Sequence, residues 1–173
     1  FQKGMEPAEI VTKDEKPHVA IVIDGLPDCT TTARLLDVLK KHGASAVCFV
    51  EGQNAANQPE TIELIREAGQ EIGNYTFVGI AAAQELPQER LFAEICRTQR
   101  VVEVLAATKP KFFRAPRTVY DEELLRALRA AGVECAVKES AHYAPGGLMD
   151  EAGAAAYAAT VPARSIIAID VAG

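Results

Sequence analysis

The chain has 173 residues, 49% of them hydrophobic and 24% charged, with a net charge of −6. This size fits one domain, and the composition excludes a disordered or collagen-like chain. Phosphate backbones are held by clustered Lys and Arg, so nucleic acid is not an expected partner, while neutral or cationic ligands stay open. Apolar runs such as Val19 to Ile23 fall far short of the ~20 residues of a membrane-spanning helix.

Residues 1–17 are polar, carry Pro7 and Pro17, and read as an arm leading into a domain at 18–173. The chain opens at Phe1 without a Met or a signal peptide, which suits a mature exported protein or a trimmed chain alike. His18–Asp24 is rich in Val, Ala and Ile and reads as a buried strand. Thr30 to Thr32 are the expected cap of a helix carrying Leu35, Leu36 and Leu39, and Lys40, Lys41, His42 and Gly43 mark its end. Ala44–Val50 is the second predicted strand. Asn57 and Pro59 open a second helix, with Ile62, Ile65 and Ala68 inward and Gly69 at its end. Glu71–Phe77 is the third strand.

The longest predicted helix runs from about Pro87 to Ala107, with Leu91, Ile95, Thr98, Val102 and Leu105 on one face. Lys111–Arg114 is a short strand. Asp121 caps a helix with Leu124, Leu125 and Leu128, closed by Gly132. Val133–Lys138 is the fifth strand, Tyr143–Gly147 a Pro-Gly loop, Asp150–Thr160 an Ala-rich helix and Ser165–Val171 the last strand. Crossover helices between strands imply a parallel sheet, either a (β/α) barrel or an open doubly wound sheet. Both place function at the carboxyl ends of the strands. No G-x-G-x-x-G or Walker loop supports a nucleotide crevice. The cysteines, Cys29, Cys48, Cys96 and Cys135, form no C-x-x-C pair, so neither a zinc ribbon nor a thioredoxin motif is available. Cys48 and Cys135 read as small buried hydrophobes.

The predicted strand ends carry Asp24 and Asp28, Glu51, Asn74 to Thr76, Arg114 and Arg117, Lys138 and Glu139, and Asp170, with His142 in the loop after the fifth strand. These residues carry a resemblance. Val19 to Pro27, with Asp24-Gly25-Leu26-Pro27 at its end, is similar to the T-F-D-D-G-P motif of polysaccharide deacetylases, the NodB-homology fold of carbohydrate esterase family four. Cys48-Phe49-Val50-Glu51-Gly52 resembles the family's second strand and turn, and Glu71-Ile72-Gly73-Asn74 the run before its histidine motif. Phe112-Phe113-Arg114-Ala115-Pro116 resembles its R-x-P motif, and Ser165–Asp170 its last strand. The resemblance covers about residues 18–171 with spacings intact.

The resemblance implies an α/β fold, a distorted (β/α) barrel whose closure stays open, because the helix and strand that often follow in the family are absent here. It also implies hydrolysis of N-acetyl groups on chitin-like or peptidoglycan chains, and a cell-envelope or secreted location. In the family one Asp and two His hold a divalent metal, often zinc, that activates water; a second Asp is the base and a His the acid. Asp24 matches the base and Arg114 the residue that holds it. Gly25, Tyr75 and Gly79 stand at the three metal-ligand positions, and Ile169 at the acid position. Thr76 keeps the hydroxyl between the two His positions, and Arg117 replaces a groove Tyr. His18 and His42 are the other histidines, both expected at the far end of the barrel, so only His142 can reach the groove.

The expected function is therefore a deacetylase-like pseudoenzyme. It keeps an Asp24–Arg114 ion pair for structure and holds no metal or other cofactor. Tyr75, Thr76, Arg117 and His142 are its candidate binding residues, for a polysaccharide or a protein partner. An active, zinc-dependent deacetylase with a rebuilt centre is the alternative, with Asp28, Cys29 and His142 as substitute ligands. A purely structural or assembly domain is the third reading. Asn74-Tyr75-Thr76 fits the glycosylation sequon but falls at a strand end, where it is discounted.

Overall fold

A computed structural model describes residues 6–13, 18–143 and 150–171. Eight strands form one sheet: β1 (Glu9–Val11), β2 (Ala20–Asp24), β3 (Ala46–Val50), β4 (Glu71–Asn74), β5 (Phe112–Phe113), β6 (Cys135–Val137), β7 (Ala141–Tyr143) and β8 (Ile166–Asp170). They lie in the order β1-β6-β5-β4-β3-β2-β8-β7, and every pairing is parallel. Among the described residues, six α-helices connect them: α1 (Cys29–Lys41), α2 (Gly52–Asn57), α3 (Pro59–Glu67), α4 (Gln88–Ala106), α5 (Glu122–Ala130) and α6 (Glu151–Thr160).

Side chains alternate across each strand, so one face fills the inside of the curled sheet and the other meets the helices. Val22, Phe49, Tyr75, Val137, Ile166 and Ala168 pack inside. Ile23, Cys48, Val50 and Ile72 pack outward on α1, α3 and α4, through Leu36, Leu39, Ile62, Ile65 and Val102. Phe113 and Ala136 pack on α4 and α5 through Leu91, Ile95, Leu124 and Leu128. Gly73 is dictated by this packing: a Cβ there would lie 2.4 Å from the Phe49 ring.

Two observations show how strongly the sheet curls. The second and eighth strands in the order, β6 and β7, are joined only by Lys138, Glu139 and Ser140. A flat sheet would hold them ~29 Å apart, yet four chain steps reach at most ~14 Å. Ser140 then closes the seam against β8: its N–H donates to the Ile166 carbonyl at 3.0 Å, and its hydroxyl accepts from the Ile166 N–H at 2.9 Å. The closure that the sequence left open is thus made by one bent run of chain, whose first half pairs with β5 and second half with β8.

The structure differs from the sequence reading in several places; Ala68, expected inward, is exposed, and Cys135, expected buried, is half-buried. Part of the arm is a strand: β1 pairs with β6, and Ala8 is buried against α5. Three residues give no periodicity, so only the free edge of β6 reveals this strand. Asp28, not Thr30 to Thr32, caps α1, accepting from the N–H groups of Thr30 and Thr31. The extra helix α2 precedes α3, and Pro59 opens α3 as expected. His142 lies in β7 rather than in a loop. The Pro-Gly loop predicted after Tyr143 lies mostly outside the described residues.

Candidate functional site

The inward faces of the strands end in polar residues. Asp24 ends β2, Tyr75 follows β4, Arg114 follows β5, Glu139 follows β6 and Asp170 ends β8. With Pro116, Arg117 and His142 they line a cleft of about 430 Å³ at the carboxyl end of the sheet. Sequence reading had placed Asp24, Tyr75, Arg114 and Asp170 on one rim, and the structure brings them together. Histidines 18 and 42 lie elsewhere: His18 precedes β2 at the amino ends of the strands and His42 caps the far end of α1.

Arg114 organises the cleft. Its Nε donates to both carboxylate oxygens of Asp24, at 2.8 and 2.9 Å. Two strands separate β2 from β5 in the sheet, ~14 Å of flat sheet, so this contact exists only because the sheet curls. The Asp24 and Arg114 side chains are 2% and 4% exposed, which makes this a buried pair. Nη1 of Arg114 donates to Glu139 and also to the Val137 carbonyl, at 3.5 Å. The Tyr120 hydroxyl donates to the same carbonyl at 3.0 Å. Glu139 was visible in the sequence as a strand-end residue, but nothing local marked it as Arg114's second partner.

The electrostatics follow from one buried guanidinium shared by two carboxylates. Burial pushes the Asp24 carboxyl above the ordinary range; the Arg114 hydrogen bond and charge pull it back only in part, and Glu139 and Asp170 add to the rise. Burial also works to raise Glu139, but Arg114 wins there and holds it below the usual range. Burial opposes the charge of Arg114, and its two carboxylates override that, so it stays locked as a cation. Tyr75 is driven well above a normal phenol, by burial first and by the neighbouring carboxylates second, so it is a neutral O–H.

Thr76, a candidate binding residue, does not line the cleft. It is fully buried and its hydroxyl accepts from the Ile80 N–H at 2.8 Å, holding the turn after β4. Arg117 is at the lip, exposed, with a left-handed backbone. Asn74 is fully buried and its amide donates to the Ile95 carbonyl and to Gln99, which removes it as a glycosylation acceptor. Strand alternation puts Ile169 on the face opposite Asp170, so Asp170 is the β8 residue that faces the cleft.

The residues present do not fit the family's metal. Gly25 and Gly79 bring no donor atom, and Tyr75 brings a protonated phenol. Both glycines have left-handed backbones, φ +91° and +69°, and a Cβ at Gly79 would lie 3.3 Å from Glu51 Cγ. Asp28 is occupied in capping α1, and neither it nor Cys29 lines the cleft with His142. Among the described residues, no group of three His, Cys, Asp or Glu side chains is placed to hold a metal ion.

Comparison with known proteins agrees with this architecture. The family model described as polysaccharide deacetylase matches residues 12–136, and the chain belongs to that family. A peptidoglycan-N-acetylglucosamine deacetylase of Bacillus cereus is 34% identical over 101 residues, 58% of this chain but only 36% of its own length. The chain thus spans little more than a third of that relative. Among solved structures, a peptidoglycan N-acetylglucosamine deacetylase superposes with TM-score 0.82 at 23% identity, covering 95% of this chain and 77% of its own. A CE4-family pseudoenzyme from Bacillus anthracis superposes with TM-score 0.79 at 18% identity, covering 96% of this chain and 59% of its own. These likenesses establish the curled parallel barrel of the family.

Proposed function

We propose that this domain is a non-hydrolytic member of the polysaccharide deacetylase family that binds glycan in its strand-end cleft. One observation carries the reading: the Asp24–Arg114 pair is intact while the positions of the metal ligands hold Gly25, Tyr75 and Gly79. Amide hydrolysis at neutral pH needs an activated water, and the family takes it from a metal that lowers the water pKa to ~7. Asp24, held on both oxygens by Arg114, then has only free water to act on. Acting alone on free water, a general base contributes ~10²–10⁴-fold, far from an enzymatic acceleration. The cleft still offers what a sugar needs, an aromatic hydroxyl beside carboxylates and guanidinium groups.

The test is acetate release from an N-acetylglucosamine tetramer, run beside metal analysis of the purified chain and a binding titration. The expected outcome is no acetate, no stoichiometric zinc and measurable binding of at least one oligosaccharide. Acetate release that is lost on chelation and recovered with zinc would overturn the reading, and Asp28 and His142 would be the first residues to mutate. Failure to bind any oligosaccharide would overturn the glycan part of it.

A further inference from the structure

We infer that Glu51 is a positioning residue of the cleft: its buried carboxylate clasps the loop after β2 to the turn after β4, the two segments that carry Gly25, Tyr75 and Gly79, and so assembles the lip without a metal. For its ligand the inference rests on the glycan-binding reading above.

The place of Glu51 in the sheet is the first ground. β3 lies between β2 and β4, and Glu51 is the residue that follows β3. It is therefore flanked by both segments at which the family resemblance puts metal ligands. Strand alternation turns it to the same inward side as Phe49. The backbone holds the three strands together past their ends: the Gly25 N–H donates to the Phe49 carbonyl and the Tyr75 N–H to the Val50 carbonyl, both at 3.0 Å.

The second ground is what the Glu51 side chain does. It stands at the N-cap of α2, yet makes no capping hydrogen bond to that helix. The first two N–H groups of α2 go to the turn after β4 instead: Gly52 donates to the Thr76 carbonyl at 3.1 Å and Gln53 to the Phe77 carbonyl at 2.9 Å. The Glu51 carboxylate reaches the other way, and its Oε2 accepts from the Leu26 N–H at 3.0 Å, with both residues buried. A hydrogen bond to a charged acceptor away from water is stronger than a neutral one.

Gly79 supplies the third ground. A Cβ there would lie 3.3 Å from Glu51 Cγ and 3.5 Å from Oε1, so the Glu51 side chain packs directly against the turn. Glycine at 79 leaves the room that the clasp uses. The carboxylate is also near enough to Tyr75 to add, behind burial and the charges of Asp24 and Asp170, to the rise of that phenol. One side chain thereby meets the loop after β2 by a hydrogen bond and the turn after β4 by packing, and sets Tyr75 relative to Asp24 in the cleft wall. The family's metal would join the same two segments through residues 25, 75 and 79; here a carboxylate from the strand between them does so.

Hydrogen exchange at the Leu26 amide and calorimetric binding of an N-acetylglucosamine tetramer test this on the full chain, as wild type, Glu51→Ala and Glu51→Gln, with and without zinc. Glu51→Ala should speed Leu26 exchange about tenfold or more, the scale of a hydrogen bond to a charged group, while Ile95 in α4 changes less. It should also weaken tetramer binding several-fold, because affinity falls with the fraction of molecules whose lip is assembled. Glu51→Gln keeps an oxygen acceptor and should restore most of both. Zinc should change neither reading in the wild type. Unchanged Leu26 exchange in Glu51→Ala would overturn the inference, and so would Ile95 quickening by the same factor, which is a general loss of stability. Glu51→Gln as open as Glu51→Ala, tetramer affinity unchanged in Glu51→Ala, or zinc that slows Leu26 exchange in the wild type would overturn it equally. A wild type that binds no oligosaccharide overturns the glycan reading alone, and Leu26 exchange then decides the clasp.

Discussion

Arg114 is the residue on which most of the site depends, because its charge serves two carboxylates drawn from different strands. Arg114→Ala would leave Asp24 buried without a partner, and such losses cost ~3–5 kcal/mol. Thermal or urea unfolding of the variant checks this; an unchanged melting temperature would remove the structural role of the pair. Glu139 gives a pH-dependent counterpart. Its carboxyl is held below the usual range by Arg114, so its ionised form adds stability above the ordinary Glu value, and that stability is lost as pH falls through the lowered one. Asp24 has the opposite sign: its carboxyl is raised by burial, so stability is lost as pH rises through the raised value. The stability gap between the wild type and Glu139→Gln should therefore be widest near neutrality and close toward acid pH. Denaturant melts at several pH values would show it, and a gap that widens on acidification would contradict the pairing. Neither sequence periodicity nor spacing pointed to Glu139 as a partner, since only the curl of the sheet brings it to Arg114.

At the scale of the elements, glycine positions record which features are fixed by packing. Gly73 in β4 lies under the Phe49 ring of β3, so Gly73→Ala overpacks the barrel interior and should cost ~1–3 kcal/mol. Trimming the ring in a Gly73→Ala/Phe49→Leu double variant should recover part of that loss, which a double-mutant cycle would measure. Gly79 is fixed differently, by its left-handed backbone in the turn that Thr76 holds after β4. Gly79→His, which puts an imidazole where the family resemblance would place one, should destabilise by ~1–2 kcal/mol for the backbone alone. The turn after β4 is therefore shaped for glycine at that position. Helices α1, α3 and α5 were legible from their apolar spacing and their stop signals at Gly43, Gly69 and Gly132, each with positive φ, whereas α2 was not. Strand β1 was not, because three residues carry no pattern and the strand exists only by borrowing the edge of β6.

At the scale of the whole molecule, the curled sheet is fastened where the run between β6 and β7 meets β8, and Ser140 makes that contact with Ile166. Ser140→Ala would leave the Ile166 N–H without its acceptor at a residue only 2% exposed, at a cost of ~1–3 kcal/mol. Hydrogen exchange at Ile166 should quicken in that variant if the seam opens locally, and an unchanged rate would show that the seam holds without the hydroxyl.

What the sequence by itself determined was local and compositional: the alternation of strands and helices, the apolar faces of α1, α3, α4 and α5, the polar residues at the strand ends, and a chain with only three histidines. Those features follow from residue type and spacing, which a chain carries before it folds. The tertiary structure alone decided the pairing of β1, the closure by the bent β6–β7 run, the sharing of Arg114 between Asp24 and Glu139, and the turning of Asp170 rather than Ile169 into the cleft. Each depends on the curl of the sheet or the parity of a strand, and these are set by contacts between residues far apart in the chain.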